Sequence, residues 1–383
     1  MTTLYDIPVS TIVEHFGKLD DPRVDRTKLH VLSDILTIAI CAIICDADGW
    51  VDVENYGVSK YAWLTTFLAL PNGIPSHDTF GRVFARIDPI QFQHCFIRWM
   101  REIYRVTHGE VVPIDGKTLR HSFDTEIGLS PIHMVSAWAT SNRLVLGQLK
   151  VADKSNEITA IPELLKTLDI AGCIVTIDAI GCQKSIARQI IEQQGDYVLA
   201  LKGNQETLYN DVRALLDHLI ATNDATLDYY ETHDENHGRV ERRRHWTTSA
   251  LDTLRTRAMW HKLQSVGVVE AERSINGEMT RERRYYLLSL ASNAKTFGNA
   301  VRSHWEIENV VHWVLDIAFR EDECRIRMGH GPENFAVLRH IALNLLRQET
   351  TFRGSIKSKR HRAGWNDSYL KKVLHGGNVR MSQ

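Results

Sequence analysis

Three acids in this chain occupy places where an isolated carboxylate is costly. Asp115 closes the β-branched run VVPID, Asp178 closes CIVTID, and Glu308 lies within HWEIENVVHWVLD. A buried carboxylate needs a cationic partner, either a basic side chain or a metal ion. Asp115 could pair with Lys117 or Arg120, Glu308 with His312 or Arg302, and Asp178 could end a turn. For any one acid alone, that ordinary reading is the better one. Two aspartates that each end an expected central strand favour shared work instead, because like charges brought together need a cation between them. No zinc-type His/Cys spacing lies nearby. An all-carboxylate set suits hard Mg²⁺ or Mn²⁺, which take phosphate oxygens as further ligands.

Such a site requires strands whose ends meet and a helix packed beside them. VVPID (111–115), MVSAWAT (134–140), RLVLGQLKV (143–151), CIVTIDA (173–179) and YVLALKG (197–203) read as strands. ITAIPELLKTLD and QKSIARQIIEQQ read as helices between the later ones, which predicts a mixed sheet with helices on its faces. His304, Glu308 and His312 recur every four residues and share one polar stripe, with Ile307, Val310, Val311 and Val314 on an apolar face. Glu306 lies roughly 160° around the helix from Glu308, so only one of the two can face the site. The more polar segment 205–283, with weak strands near 228–248 and 264–275, reads as an insertion, followed by a strand RYYLLSL (284–290).

The first hundred residues read as helical. Ser76 caps a helix whose apolar face is Phe80, Val83, Phe84 and Ile87, and Asp88-Pro89 stops it and starts another carrying Phe92, Phe96 and Trp99. Arg82 and Arg86 project elsewhere, which fits a helix-turn-helix-like DNA-binding region about as well as an ordinary helical domain. The organisation expected is therefore 1–108 helical, 109–350 an α/β core, and 351–383 a basic tail, either solvated or in contact with phosphates.

A formal net charge of −1 over 383 residues gives no global pull toward nucleic acid, so any such binding must use segregated basic patches. The six cysteines form no CxxC pair and sit mostly among apolar neighbours, which suggests reduced thiols and a cytoplasmic address. The apolar run ILTIAICAIIC (35–45) is too short to span a bilayer and reads as a buried helix.

The chain resembles the DDE transposases of bacterial insertion sequences, of the group that includes the H-repeat-associated proteins. The resemblance is carried by DPR (21–23), PSHDTFGRVF (75–84), IDGKTLR (114–120), TIDAIGCQKSIA (176–187), DYVLALKGNQ (196–205), HWEIENVVHWVLDIAFRED (304–322) and PENFAVLRHIALNLL (332–346). It implies an RNase H-like mixed-sheet core, a helical N-terminal domain and a β-rich insertion before the catalytic helix. It places two Mg²⁺ (or Mn²⁺) ions on Asp115, Asp178 and Glu308, and implies cleavage of DNA at element ends followed by strand transfer, by a homodimer on double-stranded DNA. Related transposases carry a Tyr and an Arg before the Glu and a Lys after it, whereas here those positions read Val301, His304 and Leu315. On this footing Lys117, Lys202, Asn204 and His304 are expected DNA contacts near the scissile phosphate. Arg82 belongs to end binding by the helical region, and Arg242 and Arg243 to phosphate clamps in the insertion. His304 and His312 could instead order the Glu308 carboxylate. A nuclease without strand transfer, a DNA-binding relic and a metal-dependent phosphatase are the competing readings.

Overall fold

A computed structural model describes residues 14–103, 109–122, 131–141, 143–151, 156–236, 239–275 and 278–375. The ends of the expected helical region (1–13 and 104–108) and of the expected tail (376–383) lie outside these. Among the described residues the longer helices of the N-terminal region are α1 (Leu32–Ile44), α2 (Trp50–Ser59), α3 (His77–Arg86) and α4 (Pro89–Ile103). The apolar run reads out as α1, whose residues 34–44 are all buried. The Ser76 hydroxyl accepts the Thr79 amide at the start of α3, and Phe80, Val83, Phe84 and Ile87 are sealed in the core.

The core then runs β1 (Val111–Leu119), β2 (Ile132–Ala139), β3 (Leu144–Lys150), α5 (Glu157–Thr167), β4 (Ile174–Ile177), α6 (Lys184–Glu192) and β5 (Asp196–Leu201). Next come α7 (Glu206–Thr222) and β6 (Asp228–Asn236), β7 (Arg239–Thr248), β8 (Ser265–Ile275) and β9 (Glu278–Leu288). Two helices follow, α8 (Ala294–Glu306) and α9 (Trp313–Phe319), joined by the π-helical stretch Ile307–His312. Last are α10 (Gly331–Gln348), α11 (Ile356–Trp365) and α12 (Asp367–Leu374). The sheet order is β3-β2-β1-β4-β5-β9-β8-β7-β6. Strands β1, β4 and β5 are parallel and β2 and β3 antiparallel, the arrangement of an RNase H-like fold.

The inserted segment is not a separate β unit. It begins with the long helix α7, and its last strand joins β5 antiparallel, Val198 opposite Leu288, so the insertion extends the core sheet. Helix α8 lies across this junction. Its Phe297, Ala300 and Val301 pack on Ile174, Val198, Val269, Tyr286 and Leu288. Gly267 permits the approach, since a Cβ there would come within 2.9 Å of the Phe297 ring.

The basic tail was expected to be solvated or phosphate-bound; through residue 375 it is folded. Arg360 on α11 is fully buried, donating to the Ile43, Ala47 and Ala318 carbonyls and pairing with Asp46 at 2.9 Å. Tyr369 on α12 donates to Glu349. The apolar spacing Tyr369, Leu370, Val373, Leu374 was the signal that a count of charges passed over.

Candidate active site

Parallel pairing sets Ile114 on β1 opposite Ile177 on β4. The next residue on each is an aspartate, so Asp115 and Asp178 emerge side by side. Strand β4 ends at Ile177, while β1 continues along β2 to Leu119. A cleft therefore opens between them on the α8 face. Asp115, Thr176, Asp178, Lys202, Glu282, Arg284, His304, Trp305 and Glu308 are among the residues lining a cavity of about 500 Å³ there.

The strand does not stop at Asp115, as the run VVPID suggests, but continues to Leu119. Gly116 stays extended opposite Val135 and points to the other face of the sheet. A Cβ there would collide with the side chains of Glu157 and His133, which pair with each other at 2.6 Å. The glycine thus makes room for a fourth carboxylate that opens α5 behind the two aspartates.

Glu308 sits on the π-helical stretch rather than on a regular helix. Wider turns of this kind are rare and concentrate at functional sites. Side chains take up two of the carbonyls around it. Asn309 Nδ2 donates to Trp305 O (3.1 Å) and Arg347 Nη2, from α10, donates to Val310 O (2.6 Å). Ile307 and Val311 are buried beneath, and Glu308 is exposed toward the cavity.

The charges explain each other. Burial, and then Glu308, Asp178 and Glu157, push the Asp115 carboxyl up to about 7 against a lowering by the Gly116 amide. Asp178 is also raised, by burial and by Glu157, and is held back by the amides of Gly181 and Ile180 and by Lys202. Burial pushes His304 down to about 4, and its Nδ1 lies 2.9 Å from Thr176 Oγ1. It neither orders Glu308 nor presents a charge. Among the described residues no three His, Cys, Asp or Glu side chains converge on one point as a ready-made metal site. The acids line the cavity rather than closing on its centre.

The expected DNA contacts divide. Lys202 is exposed on the cavity rim, and its ammonium has no ion-pair partner among the described residues. Lys117 is not available to a phosphate, nor does it bridge Asp115. Its ammonium is taken by Asp316 and by the buried Glu321 (2.7 Å). Asn204 spends its Nδ2 on the Ala179 carbonyl (2.6 Å), pinning the loop that carries Asp178. Arg82 is exposed on α3 and does not line the cavity.

The two insertion arginines expected as phosphate clamps are each paired with a carboxylate. Arg242 meets Glu231 (2.9 Å), and Arg243 meets Asp234 (2.5 Å) and Glu241 (2.7 Å). Arg244, Arg281 and Arg283 converge on the fully buried Glu270. Arg284 is held by Glu282 and lies over the Trp305 ring, 4.7 Å from its centre, with Arg273 at 5.5 Å. The sequence missed Glu157, Asp316 and Glu321. Asn156 capping α5 was the one local signal for the first; the other two lie about two hundred positions along the chain from the lysine they hold.

The signature described as "Transposase DDE domain" matches residues 107–345, and "DDE_Tnp_1-associated" matches 13–100. The chain belongs to the DDE transposase family. It is 41% identical over 373 residues to the "H repeat-associated putative transposase YhhI" of Escherichia coli K12, covering 96% of this chain and 98% of that one. "Putative protein YbfL" of the same strain is also 41% identical over 373 residues, with the same coverage. "Putative transposase YncI" of Escherichia coli O157:H7 is 39% identical over 370 residues, covering 96% of this chain and 95% of its own. Among the described residues no helix of this transposase-family chain is long and apolar enough to cross a membrane.

Proposed function

We propose that this protein cleaves phosphodiester bonds at the ends of an insertion element and joins the freed 3′ ends to target DNA, with divalent metal ions held by Asp115, Asp178 and Glu308. The observation that carries the reading is the strand register that sets Asp115 beside Asp178, with Glu308 lining the same cavity. Carboxylates brought this close favour a cation between them, and their all-oxygen donors suit Mg²⁺ or Mn²⁺. When bound, two such ions would activate the attacking water or 3′-hydroxyl and stabilise the leaving oxygen.

The protein's own groups do the rest. Asp115 and Asp178 hold adjacent positions fixed by strand register, and Glu308 faces them from the helix side. Lys202 attracts a phosphate to the rim. Trp305, backed by Arg273 and Arg284, forms the cavity wall beside Glu308. The helical region 14–103 would recognise element ends, and a homodimer would hold two of them. The ion pairs of Arg242, Arg243 and Arg244 with acids argue that the insertion shapes the cavity more than it grips DNA.

The test is cleavage of duplexes carrying candidate element ends in Mg²⁺ or Mn²⁺, comparing wild type with Asp115→Asn and Glu308→Gln. Metal-dependent nicking should fall by roughly a hundredfold or more in both variants, with DNA binding retained. Pre-cut ends with a free 3′-hydroxyl then report strand transfer; cleavage without joining would leave a nuclease. Nicking that persists in both variants would sink the carboxylate assignment.

A further inference from the structure

Asp115 also faces the C-terminal end of the π-helical stretch. His312, its last residue, places Nδ1 3.7 Å from Asp115 Oδ2, with both side chains largely enclosed (12% and 17% exposed). Its other ring nitrogen, Nε2, is buried and has no hydrogen-bond partner among the described residues. Lys117 could have served as the counter-charge to Asp115, but Asp316 and Glu321 hold its ammonium away. His312 thus joins Glu308 in facing Asp115 from the helix side, and is the one of the two that can donate a hydrogen bond to it. It is also set there by backbone geometry, through the wider turn that Arg347 and Asn309 support.

We propose that His312 is the positioning residue for Asp115: its Nδ1–H donates to Oδ2 when the site closes, fixing the carboxylate so that it presents one orientation to a divalent ion. The inference rests on the metal-binding reading of Asp115 and adds to it. Carboxylates that ligate a metal are generally oriented by an outer hydrogen bond, and removing that partner typically costs 10–100-fold in metal affinity or activity. The gap of 3.7 Å is long for a hydrogen bond, as such contacts often are before ligand and substrate bind. A neutral imidazole suits the task better than a lysine, since it orients the carboxylate without neutralising the charge that a cation needs.

Mn²⁺ binding to the full chain, followed by electron paramagnetic resonance without DNA, reads the proposal independently of turnover. His312→Leu should weaken Mn²⁺ binding about 10–100-fold. His312→Asn carries an amide N–H near the position of Nδ1 and should stay within a few-fold of wild type. His312→Gln, equally polar but reaching to the Nε2 position, should resemble the leucine variant. The same ranking should appear in the Mg²⁺ concentration that half-saturates cleavage, with DNA binding unchanged. Equal Mn²⁺ binding in wild type and His312→Leu, while Asp115→Asn loses it, overturns the role of His312 and leaves the metal site standing. Asn and Gln variants that fold and are equally impaired reduce His312 to packing. Wild type that binds no Mn²⁺ overturns the metal reading and this inference with it.

Discussion

Asp115 keeps its proton to about pH 7 because burial and three neighbouring carboxylates all oppose ionisation. An unfolded aspartate has already lost that proton near pH 4. The cation-free protein therefore loses stability from this group as pH rises from about 4 to about 7, and none further above that. A bound divalent ion relieves the penalty, so the rise in melting temperature on adding Mn²⁺ should be small at pH 5 and larger at pH 8. In Asp115→Asn this pH dependence should flatten. Thermal unfolding with and without Mn²⁺ across that range checks it; an equal rise at both pH values would contradict it. Lys117 makes a separate case. Replacing it with methionine leaves Glu321 buried without its cation, and should cost about 3–5 kcal/mol of stability in denaturant unfolding. A phosphate-contacting lysine would instead change DNA affinity with little effect on stability.

The wide turn at Ile307–His312 is the element that sets the site. It is one register change away from a regular helix, in which each residue advances about 100°. Deleting the exposed Asn309 should let the segment relax to an α-helix. Because α9 is held by the buried Leu315, Ala318 and Phe319, the rotation would fall on Glu308. Cleavage should drop roughly a hundredfold or more while circular dichroism and the melting temperature change little. Retained activity would show that the turn is incidental. The four-residue stripe assumes a regular helix; in the wider turn Glu308 lines the cavity while His312 lies enclosed 3.7 Å from Asp115.

Across the whole molecule, one buried arginine ties three regions together. Arg360 bonds the Ile43 carbonyl of α1, the end of α9 at Ala318 and the acids at 46 and 48. Arg360→Ala should therefore destabilise the protein by about 3–5 kcal/mol, and truncation after residue 350 should leave it poorly folded. Thermal unfolding of both variants decides the matter. A truncated chain that folds normally and only loses salt-sensitive DNA affinity would restore the solvated-tail reading.

By itself the sequence determined the alternation of strands and helices, the mixed sheet, the buried first helix and the matched pair of aspartates on β1 and after β4, although β1 runs on past its aspartate. Each of these follows from local periodicity or from repetition of one motif in VVPID and CIVTID, which a single chain displays openly. It also pointed to Glu308 over Glu306 through the spacing of His304, Glu308 and His312. Only the tertiary structure decided the charges. Lys117, Arg242 and Arg243 look free in sequence and are paired in space, because their acids arrive from neighbouring strands or from about two hundred residues away. Glu157 reaches the aspartates through the gap left by Gly116, and Arg360 disappears into the core of a segment that composition alone marks as basic. Strand register, helix packing and pairing across the sheet are non-local, so the partners that neutralise or orient a charge are set when those elements come together.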